Sequence, residues 1–146
     1  MKKYVITVLM LVIGLGTAIA QDWQTDFTEA KELAKTHNLP IVLVFQGSDW
    51  CAPCIKLDRS VWSTDEFKEY AMDHYIMLQA DFPRRKKNAL PVVQLNKNKV
   101  LAEKYNRQGI FPFVVVMNAD GKVYGETSYK KLSPKEYIAE LNSFIK

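Results

Sequence analysis

Hydrophobic and polar positions follow one another along the chain in blocks whose spacing alternates between helical and extended. Residues 26–40 repeat their apolar side chains at helical spacing, and they begin with Asp26, a residue type that caps helices. The run IVLVF at 41–45 is short, continuous and rich in β-branched residues. Such a run is typical of a strand that is buried on both faces. We therefore predict that a helix and a buried strand are the first two elements of the folded domain.

The later blocks continue this alternation and complete an α-β-α-α-β-α-β-β-α order. We predict helices over 55–62, 63–75, 133–146 and from about Val92 to near Gly109, and strands over 76–82, 113–118 and 122–128. Asp120 and Gly121 mark a tight hairpin turn between the last two strands. We expect parallel pairing where helices separate strands, and an antiparallel edge at the hairpin. These elements predict an α/β domain with a mixed sheet.

The first twenty residues have a different pattern, which is typical of a secretory signal. Two lysines precede an apolar stretch, and the small residues Ala18 and Ala20 follow it. An uncleaved membrane anchor is the alternative, but the apolar stretch is shorter than the roughly 20 residues that span a bilayer. We therefore predict a cleaved signal over 1–20, one domain over 21–146, and a periplasmic or otherwise extracytoplasmic location.

Composition and charge exclude several classes of partner. The chain has 146 residues, of which 48% are hydrophobic and 25% charged, as expected for one folded domain. Its net charge of +4 falls to about +2 when the signal is removed, which argues against nucleic acid as a partner. The one basic run, RRKK at 84–87, is interpreted as a solvated loop, with a docking patch for an acidic partner as the alternative.

The two cysteines of the chain, Cys51 and Cys54, stand in the segment GSDWCAPC and allow three interpretations. A structural disulfide this short would stabilise the fold by only about 2 kcal/mol, against roughly 3 for a loop of fifteen residues. A metal site would need His37, His74 or carboxylates as further ligands, and neither histidine has metal-ligand spacing. Covalent haem attachment requires a histidine after the second cysteine, where Ile55 stands.

A redox-active dithiol also accounts for the residues around the cysteines. The buried strand ends, a short loop follows, and Cys51 falls at the start of a helix, where the helix dipole favours a thiolate. Cys54 follows one turn later, on the same face and expected to be less exposed. From there it can attack a mixed disulfide formed by Cys51.

Three segments together resemble the thioredoxin superfamily, and in particular its exported members: WCAPC after an apolar strand, GIFPFVVV about sixty residues later, and then NADGK. The resemblance implies a three-layer fold with a central mixed sheet of about four to five strands flanked by helices. It also implies roles for five residues near the cysteines. These are Cys51 as nucleophile, Cys54 as resolving thiol, Trp50 beside the pair, Pro112 as a cis-proline facing it, and Phe111 as backbone partner of an extended substrate. A core position is the alternative for Trp50.

The resemblance further implies an exported thiol–disulfide oxidoreductase that needs no cofactor and no metal. Its substrates would be protein or small-molecule disulfides, and a partner dithiol, such as that of a membrane electron carrier, would exchange electrons with it. The Ala-Pro pair between the cysteines resembles reducing members, so we expect a reductase. A dithiol oxidase or isomerase, a client-binding or chaperone module with little turnover, and a metallochaperone are the alternatives.

One position departs from the family pattern. Thioredoxins place a buried acid on the strand before the cysteines, where it assists proton transfer from the resolving thiol. Here the matching residue is Val44 or Phe45, and both are apolar. The groups that could substitute are Asp49, Lys56, Asp58 or a water.

Overall fold

The element order of the fold is the one that the sequence pattern predicts. The computed structural model describes residues 21–146, and the predicted signal over 1–20 lies outside them. The described elements are α1 (Phe27–His37), β1 (Ile41–Gln46), α2 (Ala52–Leu57), α3 (Asp65–His74), β2 (Ile76–Asp81), α4 (Val92–Tyr105), β3 (Phe113–Met117), β4 (Val123–Ser128) and α5 (Pro134–Phe144). A π-helical turn, Asp58–Trp62, continues α2.

The four strands form one mixed sheet in the order β2-β1-β3-β4. Strands β1 and β2 are parallel, as expected, and the β3–β4 hairpin is antiparallel. The expectation of a parallel β3 is wrong, because β3 runs antiparallel to β1 with Phe113 opposite Phe45. Strand β2 ends at Asp81, and β3 begins at the same end of the sheet. The segment that contains α4 therefore does not carry the chain to the opposite end, which a parallel β3 would require.

Helices cover both faces of the sheet and make a three-layer fold. On one face, α2, α3 and α5 bury side chains such as Leu57, Phe67 and Tyr137 against alternate residues of the strands. On the other, α1 and α4 contribute Ala30 and Leu101 to a second core. The predicted α/β class with a central mixed sheet is confirmed. Within residues 21–146, no helix is both long enough and apolar enough to cross a membrane.

Local hydrogen bonds set the ends of the helices. Asp26 caps α1 by accepting the backbone N–H groups of Thr28 and Glu29, as its position predicts. Helix α4 ends at Tyr105 and does not reach the predicted boundary near Gly109. The amide side chain of Asn106 bonds both the N–H and the C=O of Ile110, and this local alternative to helical bonding turns the chain.

The turn of the β3–β4 hairpin lies at the end of the sheet opposite the cysteines. The side-chain oxygen of Asn118 accepts the N–H groups of Asp120 and Lys122 at 3.0 and 2.9 Å. Gly121 adopts φ +86°, a conformation that favours glycine. A Cβ at Gly121 would also lie 2.6 Å from the hydroxyl of Tyr105. The predicted tight turn at Asp120 and Gly121 is confirmed.

Candidate active site

The cysteine pair lies at the start of α2, as the sequence predicts. Cys51 and Cys54 form a disulfide. Cys51 is the N-cap of α2, and its Sγ accepts the backbone N–H of Cys54 at an N···S distance of 3.3 Å. Pro53 occupies the first turn, where the lack of a backbone N–H costs no helical hydrogen bond. The helix dipole and this N–H both favour negative charge on the Cys51 sulfur.

The exposure of the two cysteines differs from the sequence expectation. Both residues are 4% exposed, so Cys54 is not the less accessible of the two in this oxidised form. Each sulfur covers part of the other because they are bonded. What distinguishes Cys51 is therefore its place at the helix N-cap and its N–H···S contact, and not its exposed area.

Trp50 lies beside the pair and belongs to neither hydrophobic core, which excludes the alternative of a core aromatic. Its indole Nε1 donates a hydrogen bond to the carbonyl of Phe82 at 2.7 Å. The ring meets Phe111 edge to face, with 5.6 Å between centroids. Gly47 passes directly under the indole, since a Cβ there would lie 2.3 Å from Cε2 of Trp50. The indole is thus held in one orientation, half-buried, next to Cys51.

Phe111 and Pro112 complete the predicted group of residues. The peptide bond between them is cis. Phe111 packs on Trp50 and also on Phe82, at 5.7 Å between ring centroids. The backbone N–H and C=O of Phe111 make no hydrogen bond to any residue of 21–146. Trp50, which precedes Cys51, therefore packs on Phe111, and Phe111 is joined to Pro112 by the cis peptide bond.

A carboxylate that the sequence reasoning did not assign to this role attaches the basic loop to the site. Asp49 accepts the backbone N–H groups of Arg84 and Arg85 and the side-chain amide of Asn88, each at 2.9 Å. These bonds, with that from Arg84 the largest cause, lower the pKa of the Asp49 carboxyl from 3.8 to about 2. The guanidinium of Arg84 lies 3.6 Å from the centre of a ring of Trp50. The interpretation of this run as a merely solvated loop is therefore incomplete.

Cys54 borders a cavity of about 300 Å³. Its lining residues are Gln46, Ser48, Cys54, Ile55, Asp58 and Arg59. Val44 packs in the core with Leu57, and Phe45 packs in the core on the other face of the sheet, so both apolar candidates for the position of the family's buried acid are fully buried. Of the substitutes that the sequence suggests, Asp49 is bound to the basic loop, while Asp58 lines the cavity beside Cys54.

Within residues 21–146, no three His, Cys, Asp or Glu side chains lie close enough together to hold a metal ion. His37 and His74 are both exposed, and His74 stacks on Tyr70 with 3.8 Å between ring centroids. Neither histidine lines the cavity beside Cys54.

The fold and the cysteine pair agree with the result of matching the chain to known families. A family model described as "Thioredoxin-like" matches residues 22–119. The chain belongs to the thioredoxin-like family. The match includes the cysteines, the basic loop, the cis-proline and the first strand of the hairpin.

Relatives within the thioredoxin-like family carry names of the disulfide-handling Dsb proteins. Disulfide bond reductase DsbH of Chlamydia pneumoniae is 36% identical over 124 residues, which cover 85% of this chain and 72% of that protein. A solved structure of a DsbH oxidoreductase aligns with a TM-score of 0.78 at 33% identity, covering 85% of this chain and 83% of that one. Thioredoxin-related protein DsbJ of C. pneumoniae is 23% identical over 82% of this chain and only 36% of its own length.

Proposed function

We propose that this protein is an exported thiol–disulfide oxidoreductase that reduces disulfides through Cys51 and Cys54. The observation that carries the proposal is the bonded cysteine pair at the N-cap of α2, where a backbone N–H reaches the Cys51 sulfur. Similarity to proteins named disulfide bond reductase and oxidoreductase supports the same activity. The Cys51–Cys54 disulfide is the oxidised form that such an enzyme reaches after it has reduced a substrate and before a partner reduces it again.

The chemistry requires only the two sulfurs and a source of electrons. In the reduced form, the Cys51 thiolate attacks one sulfur of a substrate disulfide, and the other substrate sulfur leaves as a thiolate that takes up a proton. The Cys54 thiolate then attacks the Cys51 sulfur, releases the second substrate thiol and leaves the Cys51–Cys54 disulfide. A partner dithiol returns two electrons and two protons, and is itself oxidised to a disulfide.

Trp50, Phe111 and Pro112 form the proposed substrate-binding surface. The unpaired N–H and C=O of Phe111 suit an extended substrate segment that adds main-chain hydrogen bonds next to the cysteines. Trp50 supplies a half-buried aromatic face fixed by its bond to the Phe82 carbonyl. This surface holds the substrate disulfide near Cys51 without a cofactor.

The cavity beside Cys54 provides the proposed route for its proton. A polar cavity of this size admits water, and Asp58 lies on its wall one helical turn beyond Cys54. Water in the cavity carries the proton of the Cys54 thiol toward the Asp58 carboxylate when Cys54 attacks the mixed disulfide. In this proposal Asp58 takes the role of the family's buried acid, at whose position this chain has the apolar Val44 or Phe45.

The sequence and the relatives support the proposed direction and location of the reaction. The Ala-Pro pair between the cysteines and the reductase named among the relatives favour reduction over oxidation or isomerisation. The predicted signal over 1–20 would place the domain of 21–146 outside the cytoplasm, where a reductase needs electrons from a partner dithiol such as that of a membrane carrier.

Turnover of insulin disulfides tests the proposal. The wild-type domain should reduce insulin with dithiothreitol as electron source, while Cys51→Ser should lower the rate to background. Cys54→Ser should accumulate a mixed disulfide through Cys51, which isolates natural partners as well. Unchanged insulin reduction by Cys51→Ser would exclude the mechanism. A measured potential near −120 mV, at the oxidising end of the family range, would instead assign the protein as an oxidase.

A further inference from the structure

Four consecutive cations, Arg84, Arg85, Lys86 and Lys87, stand beside the cysteine pair. All four side chains are exposed. The loop that carries them begins at Phe82, whose ring contacts Phe111 and whose carbonyl accepts the Trp50 N–H. The basic loop 84–87 is therefore continuous with the proposed substrate-binding surface.

The charge of the basic loop is largely available to a ligand. Asp49 holds the loop through the backbone N–H groups of Arg84 and Arg85 and the amide of Asn88. Within residues 21–146, no carboxylate forms an ion pair with the side chains of the four cations. One carboxylate thus fixes the position of the loop, while all four positive side chains stay exposed and that of Arg84 lies over the Trp50 ring.

We infer that the basic loop 84–87 binds an acidic segment of a polypeptide substrate, close to the disulfide that is reduced. The inference rests on the proposed function. The Arg84 guanidinium lies 3.6 Å from the centre of a ring of Trp50, and Trp50 directly precedes Cys51. An extended chain advances about 3.3 Å per residue, so acidic side chains about two to four positions from a substrate cysteine reach the loop.

Exposed charges of this kind select substrates through electrostatic attraction and encounter rate more than through tight binding. The charge of the chain as a whole is only +4, so it is this local cluster, and not a general attraction for polyanions, that selects the ligand. The ligand must also present a disulfide to Cys51. An acidic polypeptide segment next to a cystine meets both requirements.

A pair of matched peptides tests the inference. Each contains one intramolecular disulfide, and they differ only in carrying three Glu or three Gln residues two to four positions after the first cysteine. At low salt, the wild-type domain should reduce the Glu peptide with a kcat/KM about fivefold higher than the Gln peptide. The preference should largely disappear in 0.5 M NaCl, because salt screens exposed charges.

Two charge-matched double variants locate the preference. Lys86→Gln with Lys87→Gln should reduce the Glu-to-Gln ratio to about twofold or less. Lys35→Gln with Lys122→Gln removes the same charge near the hairpin, at the opposite edge of the sheet, and should keep the wild-type ratio. Reduction of hydroxyethyl disulfide, which is neutral, measures the reductase activity of the wild-type domain and of each variant independently of substrate charge.

The outcomes separate the inference from the function on which it rests. Equal kcat/KM values for the two peptides in the wild-type domain, or a preference that survives in the Lys86/Lys87 variant, would overturn the role of the basic loop. If the wild-type domain reduces neither peptide nor hydroxyethyl disulfide, the proposed function fails and the inference fails with it. A salt-sensitive preference lost only in the Lys86/Lys87 variant supports it.

Discussion

The strands of the central sheet have two ends, the hairpin edge at the β3–β4 turn and the cysteine edge at the start of α2, and these leave their backbone groups in different states. At the hairpin edge, the side chain of Asn118 accepts two N–H groups, and its backbone pairs with Gly121 and Lys122. At the cysteine edge, the backbone of Phe111 has no partner within residues 21–146, and Trp50 is half-exposed. The polar groups of Asn118 are thus bonded within the hairpin, whereas the backbone N–H and C=O of Phe111 stay available to a ligand.

This difference shows how one fold separates stability from chemistry. Unpaired backbone groups are tolerated at the cysteine edge because they remain accessible to solvent or to a bound chain. The residues around them are nevertheless fixed, by Gly47 under the indole and by Asp49 on the basic loop. We therefore expect changes at the cysteine edge to alter turnover, and changes at the hairpin edge to alter stability alone.

Among changes that leave both cysteines in place, the largest effect is expected from Gly47→Ala. The new Cβ would lie 2.3 Å from the Trp50 indole, which must move and lose its hydrogen bond to Phe82. Overpacking should lower the free energy of unfolding by about 1–3 kcal/mol, and insulin reduction should fall about fivefold or more. Urea denaturation and turnover measure the two effects. A variant with wild-type turnover would show that the indole position does not matter for reduction.

Gly121→Ala tests the hairpin edge. Its φ of +86° and the nearby Tyr105 hydroxyl make any side chain unfavourable, so we expect a loss of about 1–2 kcal/mol in the free energy of unfolding. The rate of insulin reduction by the folded protein should not change. A clear fall in turnover at a temperature where the variant is folded would contradict the separation of the two edges.

Asp58→Asn should have a smaller effect, on one step of turnover. Without a carboxylate on the cavity wall, the attack of Cys54 on the mixed disulfide should slow about threefold, less than 1 kcal/mol in barrier height. Rapid-quench measurement of mixed-disulfide decay resolves this step. Asp73→Asn, an exposed acid on α3, is the control. Equal decay in the two variants would remove Asp58 from the mechanism.

The smallest expected effect is the release of the basic loop from Asp49 at acidic pH. The pKa of Asp49 lies at about 2 in the folded protein and at 3.8 ordinarily, so the carboxylate stabilises the folded state fully above about pH 4. That contribution is lost as the pH falls toward 2. Trp50 fluorescence, which senses Arg84, should report this transition, and Asp49→Asn should abolish it. A transition that persists in the variant would assign it to another carboxyl group.

The sequence predicts the fold well because periodicity and caps act locally. Asp26, Ser133 and the Asp120–Gly121 turn each determine the start or end of an element through their own side chain or backbone. The antiparallel direction of β3 could not be predicted this way, since it depends on the edge at which the chain returns after α4. The end of α4 was missed because Asn106 bonds Ile110, a contact that periodicity does not encode.

The site was predicted where a motif carries it and missed where it depends on distant residues. WCAPC and the downstream proline indicated Trp50, the cysteines, Phe111 and Pro112. In the structure the cysteines are bonded, Trp50 packs on Phe111, and the Phe111–Pro112 peptide bond is cis. The attachment of the basic loop by Asp49 joins residues more than thirty positions apart. The available signal was an acidic residue before the cysteines and a basic run after the next strand, but nothing in the spacing pairs them.

The position of the basic loop has a practical consequence for measuring thiol reactivity. An anionic alkylating reagent such as iodoacetate is drawn toward Arg85, Lys86 and Lys87, whereas neutral iodoacetamide is not. Alkylation of Cys51 in the reduced protein by the first reagent alone would therefore overstate its intrinsic nucleophilicity. The ratio of the two alkylation rates, followed against ionic strength, reports the local electric potential at the sulfur.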